Sequence, residues 1–255
     1  MTTWRLTLAQ IHYVNRTYWR NPTAAFFTFA MPLIFLVIFT ALLGHGSVQL
    51  PGRVVHRSTY YVGSMAAWGV ISACYTNVAI SITFQRDAGI LKRTRGTPLP
   101  SSVYLGARVV HSTLVAAMLV VLTAAFGAVF YQAGLPTGVT LLEFVVMFLV
   151  GAASFSALGF ASTIIIPNYD AAPAVVNAII LPLLFLSGVF IPLGSQAPGW
   201  VLWVGRIFPV RHFATGMQAG FLGTSFHWSD VLLVAVWGIA GLLLAIRRFS
   251  WEPRK

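Results

Sequence analysis

The chain has 255 residues, of which 58% are hydrophobic and only 8% are charged, and its formal net charge is +11. Soluble domains carry roughly 25% charged residues, and a soluble fold of this length could not hide so much apolar surface, whereas lipid solvates it. Most of the positive charges lie in short segments between long apolar runs, which is typical of membrane topology signals and not of a nucleic-acid-binding face. The composition therefore predicts a multi-pass, all-α membrane protein that forms a single transmembrane domain over residues 1–255.

The first segment, residues 1–22, is predicted to be an amphipathic helix that lies in the membrane interface. At 100° per residue, Arg5, His12 and Arg16 project along nearly one line. The adjoining arc is apolar and consists of Trp4, Leu8, Ile11, Val14 and Tyr18. Such a helix directs its basic side chains toward lipid headgroups, and residues 19–22 then turn the chain into the membrane. A frayed basic tail is the alternative interpretation.

Membrane-spanning helices need about 20 apolar residues to cross the hydrocarbon core. Six stretches meet or approach this length, namely Thr23–Leu43, Thr59–Phe84, Val109–Tyr131, Thr140–Ile166, Ala174–Leu193 and Val231–Ile246. The last stretch is short and would use Trp228 and the Arg247–Arg248 pair as interfacial anchors. The sequence therefore predicts six transmembrane helices.

The arginine and lysine residues predict the orientation. With the N-terminus in the cytoplasm, twelve of them fall in inside segments, and these are Arg5, Arg16, Arg20, Arg86, Lys92, Arg93, Arg95, Arg108, Arg247, Arg248, Arg254 and Lys255. Four fall outside, at Arg53, Arg57, Arg206 and Arg211. The positive-inside rule therefore places both termini in the cytoplasm, and we expect the chain to reside in a bacterial inner membrane.

Residues 194–228 lie outside in this topology, yet they are unlike a solvated loop. The segment is rich in aromatic and aliphatic side chains and is interrupted by proline and glycine, at Pro198, Gly199, Pro209, Gly216 and Gly220. Irregular backbone at membrane depth is tolerated where protein covers it or a cavity solvates it. We therefore predict a re-entrant or interfacial segment before the last helix. A seventh span at Trp200–Phe221 is the alternative, and it would put the basic C-terminus outside.

No ATP-hydrolysing motif is present in the sequence. A phosphate-binding P-loop needs Gly-Lys-Ser/Thr, and the only lysines are Lys92, which follows Leu91, and Lys255. If ATP drives this protein, its hydrolysis takes place on another chain. The histidines lack metal-ligand spacing and no Gly-x-Ser-x-Gly elbow occurs, so we expect neither a metal site nor catalytic residues.

Glu143 is the acidic residue that an ion-coupled mechanism would use. Such transport usually needs ionisable groups deep in the membrane, whereas Glu143 lies about one turn into the fourth span, where the helix N-terminus is a sufficient reason for a carboxylate. An ion-coupled secondary transporter and a non-transporting membrane scaffold are the two alternatives to an ATP-driven machine. The three differ in their dependence on a partner, because an antiporter works alone and follows a proton gradient.

The first cytoplasmic loop, residues 85–102, is the most informative segment. It contains charged residues, a short stretch of helical length, the rigid sequence Thr97-Pro98-Leu99-Pro100 and a helix restart at Ser101. These features describe either a positive-inside anchor or a docking element for a cytoplasmic partner. The residues by themselves leave both interpretations open.

The loop resembles the Glu-Arg-Glu-x-Gly-x-Leu-(Lys/Arg)…Thr-Pro-Leu segment of ABC-2 type permeases of the multidrug and daunorubicin-resistance kind. The matching positions are Arg86, Gly89, Leu91, Lys92, Arg93, Thr97, Pro98 and Leu99, while Gln85 and Asp87 stand where the family often has glutamates. Leu186–Pro192, Pro198, Trp200 and Pro209–His212 resemble a second stretch, Leu-Ser-Gly-x-x-Phe/Ile-Pro, Pro-x-Trp and Asn-Pro-Leu-x-Tyr, from which Phe208 and His212 depart.

The resemblance implies an exporter in which two permease chains, expected to be a homodimer, pair above two separate P-loop ATPase subunits. ATP and Mg would bind to those subunits, and no cofactor to this chain. The first cytoplasmic loop would form a coupling helix seated on the ATPase. Carried over to this sequence, the contact would involve Arg86, Asp87, Gly89, Lys92, Arg93 and Arg95.

The resemblance also implies that the permease chains meet along their first and fifth spans. Ser187 and Gly188 would allow close approach there, since small residues let helices pack closely in lipid. The candidates for an apolar substrate path are Phe35, Phe39, Phe185 and Val189. Such a path favours hydrophobic or amphipathic cargo, for example a drug or a lipid.

Overall fold

The computed structural model describes residues 3–43, 46–50, 53–193 and 197–252. Its helices are α1 (Thr3–Trp19), α2 (Pro22–Leu43), α3 (Arg57–Ile71), α4 (Asn77–Asp87), α5 (Ile90–Arg95), α6 (Ser101–Tyr131), α7 (Gly138–Ser162), α8 (Ala172–Leu186), α9 (Gly199–Ile207), α10 (Pro209–Leu222) and α11 (Trp228–Arg248). A π-helical turn, Ser72–Thr76, joins α3 to α4 in one rod. The fold is therefore dominated by helices, as the composition predicts.

A short antiparallel hairpin follows α2 and was not part of the all-α prediction. Its strands are β1 (Ser47–Leu50) and β2 (Arg53–His56), with Ser47 paired to His56 and Leu50 paired to Arg53. The guanidinium of Arg57 donates to the carbonyl oxygen of Leu43 at 3.1 Å and thereby ties the start of α3 to the end of α2.

Five helical segments are long and apolar enough to cross a membrane: α2, the α3–α4 rod, α6, α7 and α11. They confirm five of the six predicted spans. The largest difference is at the start of α6, which begins at Ser101 instead of Val109. Those eight residues extend the helix by about 12 Å toward loop 85–102.

The fifth predicted span is shorter in the structure than in the sequence-based prediction. The stretch Ala174–Leu193 forms α8, which ends at Leu186 after 15 residues; that length is about 22 Å, below the roughly 30 Å hydrocarbon core. The helix ends there because Gly188 adopts a left-handed conformation with φ +83°, and the hydroxyl of Ser187 donates to the carbonyl oxygen of Leu184 at 2.8 Å.

The α3–α4 rod is the centre of the molecule. Its Tyr61, Met65 and Val70 are completely buried, and it contacts α2, α6, α7 and α10. Elsewhere in the bundle, small residues at the helix contacts allow the helices to approach closely, as is typical of helix packing in lipid. At the crossing of α7 and α11, a Cβ atom on Gly238 would lie 2.3 Å from the Oγ atom of Ser154.

The segment 194–228 forms two short helices, α9 and α10, while residues 194–196 lie outside the described residues. The extended backbone of Phe208 separates the two, and Pro209 begins α10. No continuous helix covers Trp200–Phe221, and neither α9 nor α10 is among the helices long enough to cross a membrane, so the alternative of a seventh span gains no support from the described residues. Phe213 of α10 is fully buried, with its ring centroid 5.1 Å from that of Phe155.

The N-terminal amphipathic segment is a helix in the structure. Val14 of α1 is buried at 3% exposure, and α1 contacts α6. Arg5, His12 and Arg16 are exposed along the helix, as the projection at 100° per residue predicts. The frayed-tail interpretation is therefore wrong for residues 3–19.

Candidate functional site

Loop 85–102 is built as a helix–turn–helix between α4 and α6. Gly89 has φ +68°, a conformation that glycine adopts without steric strain, and its N–H donates to the carbonyl oxygen of Arg86 at 3.0 Å. The six-residue helix α5 follows directly. Leu91 of α5 is completely buried in a small cluster that includes Tyr104 and Phe160. The loop is thus an ordered knob that is anchored in the bundle.

Arg86 lies inside this structure and not on its surface. Its side chain is 2% exposed, and Nη1 donates to the carbonyl oxygen of Thr163 at 3.0 Å. Nη2 donates to the carbonyl oxygens of Ile166 and Pro167 at 3.0 and 3.1 Å. These acceptors belong to the connection between α7 and α8. The prediction of Arg86 as a direct contact for a partner is therefore corrected, because its guanidinium is occupied by this chain.

Asp87 extends the same link to the α7–α8 connection. One carboxylate oxygen accepts from the Nε atom of Arg86 at 3.1 Å, and the other accepts from the backbone N–H of Tyr169 at 2.6 Å. The rings of Phe84 and Tyr169 are 5.0 Å apart. Arg86 and Asp87 therefore clamp the end of α4 to residues 163–169, and we call this pair with its carbonyl and N–H partners the clamp.

The exposed cations of the loop lie on α5. Lys92, Arg93 and Arg95 are all exposed. Arg93 also donates to the carbonyl oxygens of Gly89 and Ala88 at 3.4 and 3.2 Å, where a cation is favourable because unpaired carbonyls end a helix. The three predicted cations of α5 thus form one basic surface on an anchored helix.

The predicted substrate-path aromatics meet at one residue that sequence reasoning did not single out, Phe190. Its ring centroid lies 6.1 Å from that of Phe35, 5.6 Å from Phe39 and 4.9 Å from Phe185. Trp68 closes the group at 5.5 Å from Phe190. The structure thus joins three of the four predicted residues in an aromatic cluster between α2, α3 and the end of α8.

The fourth path residue and both seam residues are covered by this chain. Val189 has 0% exposure, Ser187 is buried at 6% exposure, and Gly188 is buried as well. The hydroxyl of Tyr60 donates to the carbonyl oxygen of Gly188. Ser187 and Gly188, predicted to lie at a seam between two chains, form an internal turn of this chain instead, whereas Phe185 is 52% exposed.

A histidine–carboxylate pair joins α10 to the start of α11. The Nδ1 atom of His212 lies 2.6 Å from a carboxylate oxygen of Asp230, and Nε2 lies 3.0 Å from the carbonyl oxygen of Arg206. Both ring nitrogens therefore face acceptors, which only the protonated ring satisfies fully. The hydrogen bond to Asp230 raises the pKa of His212. Sequence spacing gave no signal for this pair, because the fold brings the two residues together.

Comparisons with known proteins agree with the geometry. The family model for the ABC-2 type transporter matches residues 6–222. The transport permease YvfS of Bacillus subtilis is 24% identical over 233 residues, which cover 90% of this chain and 91% of the relative. The inner membrane transport permease YadH of Escherichia coli K12 is 26% identical over 214 residues, or 81% of this chain and 77% of the relative.

A third relative carries a similar name. The transport permease ycf38 of Porphyra purpurea is 22% identical over 227 residues, which cover 86% of this chain and 75% of the relative. The family match spans most of the chain and includes the loop, the clamp and the aromatic cluster. The family resemblance inferred from the sequence is thereby confirmed, and the chain belongs to the ABC-2 type transporter family.

Proposed function

We propose that this chain is the transmembrane permease subunit of an exporter driven by ATP hydrolysis on a separate P-loop subunit. The observation that carries this proposal is the basic surface of α5, where Lys92, Arg93 and Arg95 project from a helix fixed to the bundle by Leu91. An exposed, anchored cationic helix is suited to receive a protein partner and to transmit force from it. The sequence itself supplies no residues for ATP hydrolysis.

The clamp gives a physical route for that force. A displacement of α5 acts on the end of α4, to which α5 is joined at Gly89. Arg86 and Asp87 bind that end of α4 to the α7–α8 connection through hydrogen bonds to Thr163 and Tyr169. We infer that Arg86 and Asp87 act as positioning residues and that Lys92, Arg93 and Arg95 make the direct contact.

The proposed topology has six spans with both termini in the cytoplasm. In it, α8 and residues 187–193 together complete the fifth crossing, and residues 194–228 form a re-entrant segment on the outer side. The uneven distribution of arginine and lysine supports the orientation, and the short lengths of α9 and α10 support the re-entrant arrangement. In this arrangement α5 faces the cytoplasm, where an ATPase would bind.

We further propose that two copies of the permease pair and that hydrophobic or amphipathic cargo passes outward beside the aromatic cluster. The apolar outer face of α2 supports a partner chain there, since Phe26, Ile34 and Leu42 are 65%, 43% and 74% exposed. Phe185 extends the same apolar character from α8. Cross-linking of cysteines introduced at Ile34 and Phe185 tests the pairing: we expect a disulfide-linked dimer, and absence of any dimer product would contradict it.

The test of the function is affinity purification of the tagged permease from its native membrane in mild detergent. We expect a P-loop ATPase to co-purify in stoichiometric amount. The double variant Lys92→Ala, Arg95→Ala should lose about tenfold of that ATPase because it removes two charged contacts, while membrane insertion stays normal. Arg247→Ala is the matched control, since Arg247 is an exposed arginine outside loop 85–102.

Two results would contradict the proposal. Absence of any P-loop ATPase across several mild detergents would favour a protein that works alone, and Glu143→Gln would then test an ion-coupled mechanism. Equal loss of ATPase in the Arg247→Ala control would mean that net charge, and not the surface of α5, governs the association.

A further inference from the structure

A cavity of about 870 Å³ opens between α1, α4, α5 and α6. Thr94 and Thr97 of loop 85–102 line it at one end, and Ala73 and Val115 line it deeper in the bundle. Val115 lies 14 residues into α6, about 21 Å from the start of that helix. The cavity therefore passes from a polar opening beside α5 to an apolar end within the bundle.

The walls of the cavity carry positive charge without a counter-ion. The cations that line it are Arg93 and Arg108, and none of its described lining residues is acidic. The ion pairs found among the described residues are Arg86 with Asp87 and His212 with Asp230, so Arg108 has no carboxylate partner in that part of the chain. A partly buried cation is destabilising unless an anion compensates it.

Two polar atoms in this wall also lack a partner. The Nε atom of Arg108 and the Nδ1 atom of His111 are buried and make no hydrogen bond to any described residue. Arg108 otherwise donates from Nη2 to the Oε1 atom of Gln85, which leaves the amide oxygen of a neutral side chain as its acceptor. His111 is 7% exposed, so bulk water does not replace the missing partner freely.

The N-terminal helix α1 forms one side of the cavity. Tyr18 of α1 lines the cavity and sets its ring edge-on to His111, with the centroids 5.2 Å apart. On the same helix Trp4 and Leu8 are 68% and 47% exposed, as expected for an interfacial helix in contact with a bilayer. The cavity is thus bounded on one side by α1, the predicted interfacial helix.

We propose that this cavity binds a phosphate-type anion at Arg108, carried as the headgroup of an amphipathic molecule from the leaflet beside α5. Guanidinium groups bind phosphate with strong, charge-assisted hydrogen bonds, and His111 provides a second polar group at the same place. The apolar end near Ala73 and Val115 accommodates the start of a chain. Arg93 belongs both to the cavity wall and to the surface of α5, whereas Arg108 and His111 lie in the cavity on α6, and binding there does not depend on ATP-driven export.

The test uses the delipidated full-length chain in detergent and native mass spectrometry. Phosphatidylglycerol and phosphatidylcholine with identical acyl chains are titrated, and we expect the anionic lipid to bind in preference. Arg108→Gln should reduce that preference about tenfold, as for loss of one charged hydrogen-bonding partner, and Arg108→Lys should retain most of it. Arg247→Gln, outside the cavity, is the control and should change nothing.

Gln85→Glu is a second variant that keeps the shape of the side chain. The new carboxylate would pair with Arg108 inside the protein, so the lipid preference should fall while the fold is retained. If inorganic phosphate displaces the lipid and the acyl chains add no affinity, the anion site stands and its ligand is a soluble phosphate. Equal binding of both lipids by the unmodified chain, or an undiminished preference in both Gln85→Glu and Arg108→Gln, would overturn the proposal.

Discussion

Arg86→Ala should destabilise the permease far more than any change on the surface of α5. Its guanidinium makes three hydrogen bonds to backbone carbonyls of the α7–α8 connection and one to Asp87, at 2% exposure. Breaking a buried charged pair costs about 3–5 kcal/mol, because the remaining partners are left unpaired. The same change releases residues 163–169 from α4 and should therefore reduce stimulation of the ATPase as well.

The assay compares the thermal unfolding of Arg86→Ala and Lys92→Ala in one detergent. The buried variant should melt lower by roughly 6–20 °C, at about 2–4 °C per kcal/mol for a chain of this size, while the exposed variant melts as the unmodified protein does. Arg86→Lys should recover only part of the loss, since an ammonium group cannot reproduce the planar fork of hydrogen bonds. Equal melting of Arg86→Ala and Lys92→Ala would refute the assignment of Arg86 to the clamp.

Two further predictions concern the bundle and its response to pH. Gly238→Ala should lower the melting temperature markedly, because the added Cβ atom would lie 2.3 Å from the Oγ atom of Ser154. In the control Gly106→Ala the added Cβ atom meets no atom within 4 Å, and this variant should stabilise the protein by about 0.5–1 kcal/mol. Equal effects of the two variants would contradict the close packing of α7 and α11. The raised pKa of His212 means that its pair with Asp230 stabilises fully below the ordinary value of 6.5 and is lost as the pH rises through the raised pKa. The melting temperature of the unmodified chain should fall as the pH rises across that range, and that of Asp230→Asn should depend less on pH. Equal pH dependence of the two melting temperatures would contradict the pairing.

Features that depend on local sequence were predictable. Long apolar runs need a bilayer whatever their neighbours are, so five spans are confirmed, four of them to within a few residues and α6 with an earlier start. The restart of α6 at Ser101 follows from the prolines before it, which cannot continue a helix. The helix at the N-terminus was also predictable, because its basic line and apolar arc depend only on the helical period.

Features that depend on distant contacts were not predictable. In the sequence, Arg86 is one of several cations in a short loop, which is typical of a surface residue. Only the approach of residues 163–167 buries its side chain and makes it part of the clamp. The early end of α8 results from the left-handed Gly188, since a glycine in an apolar run is also compatible with a continuous helix. Phe190 joins the aromatic cluster because that turn directs the chain toward α2 and α3. Pairwise spacing along the sequence carries no information about these three features.

The most direct test of the central claim is transport by the permease reconstituted with its co-purified ATPase in inverted membrane vesicles. We expect a hydrophobic dye to accumulate when ATP is supplied, to stop accumulating in the Lys92→Ala, Arg95→Ala variant, and not to respond to a proton gradient in the absence of ATP. Dye movement driven by the proton gradient without ATP, and abolished by Glu143→Gln, would contradict the account and assign this chain an ion-coupled mechanism.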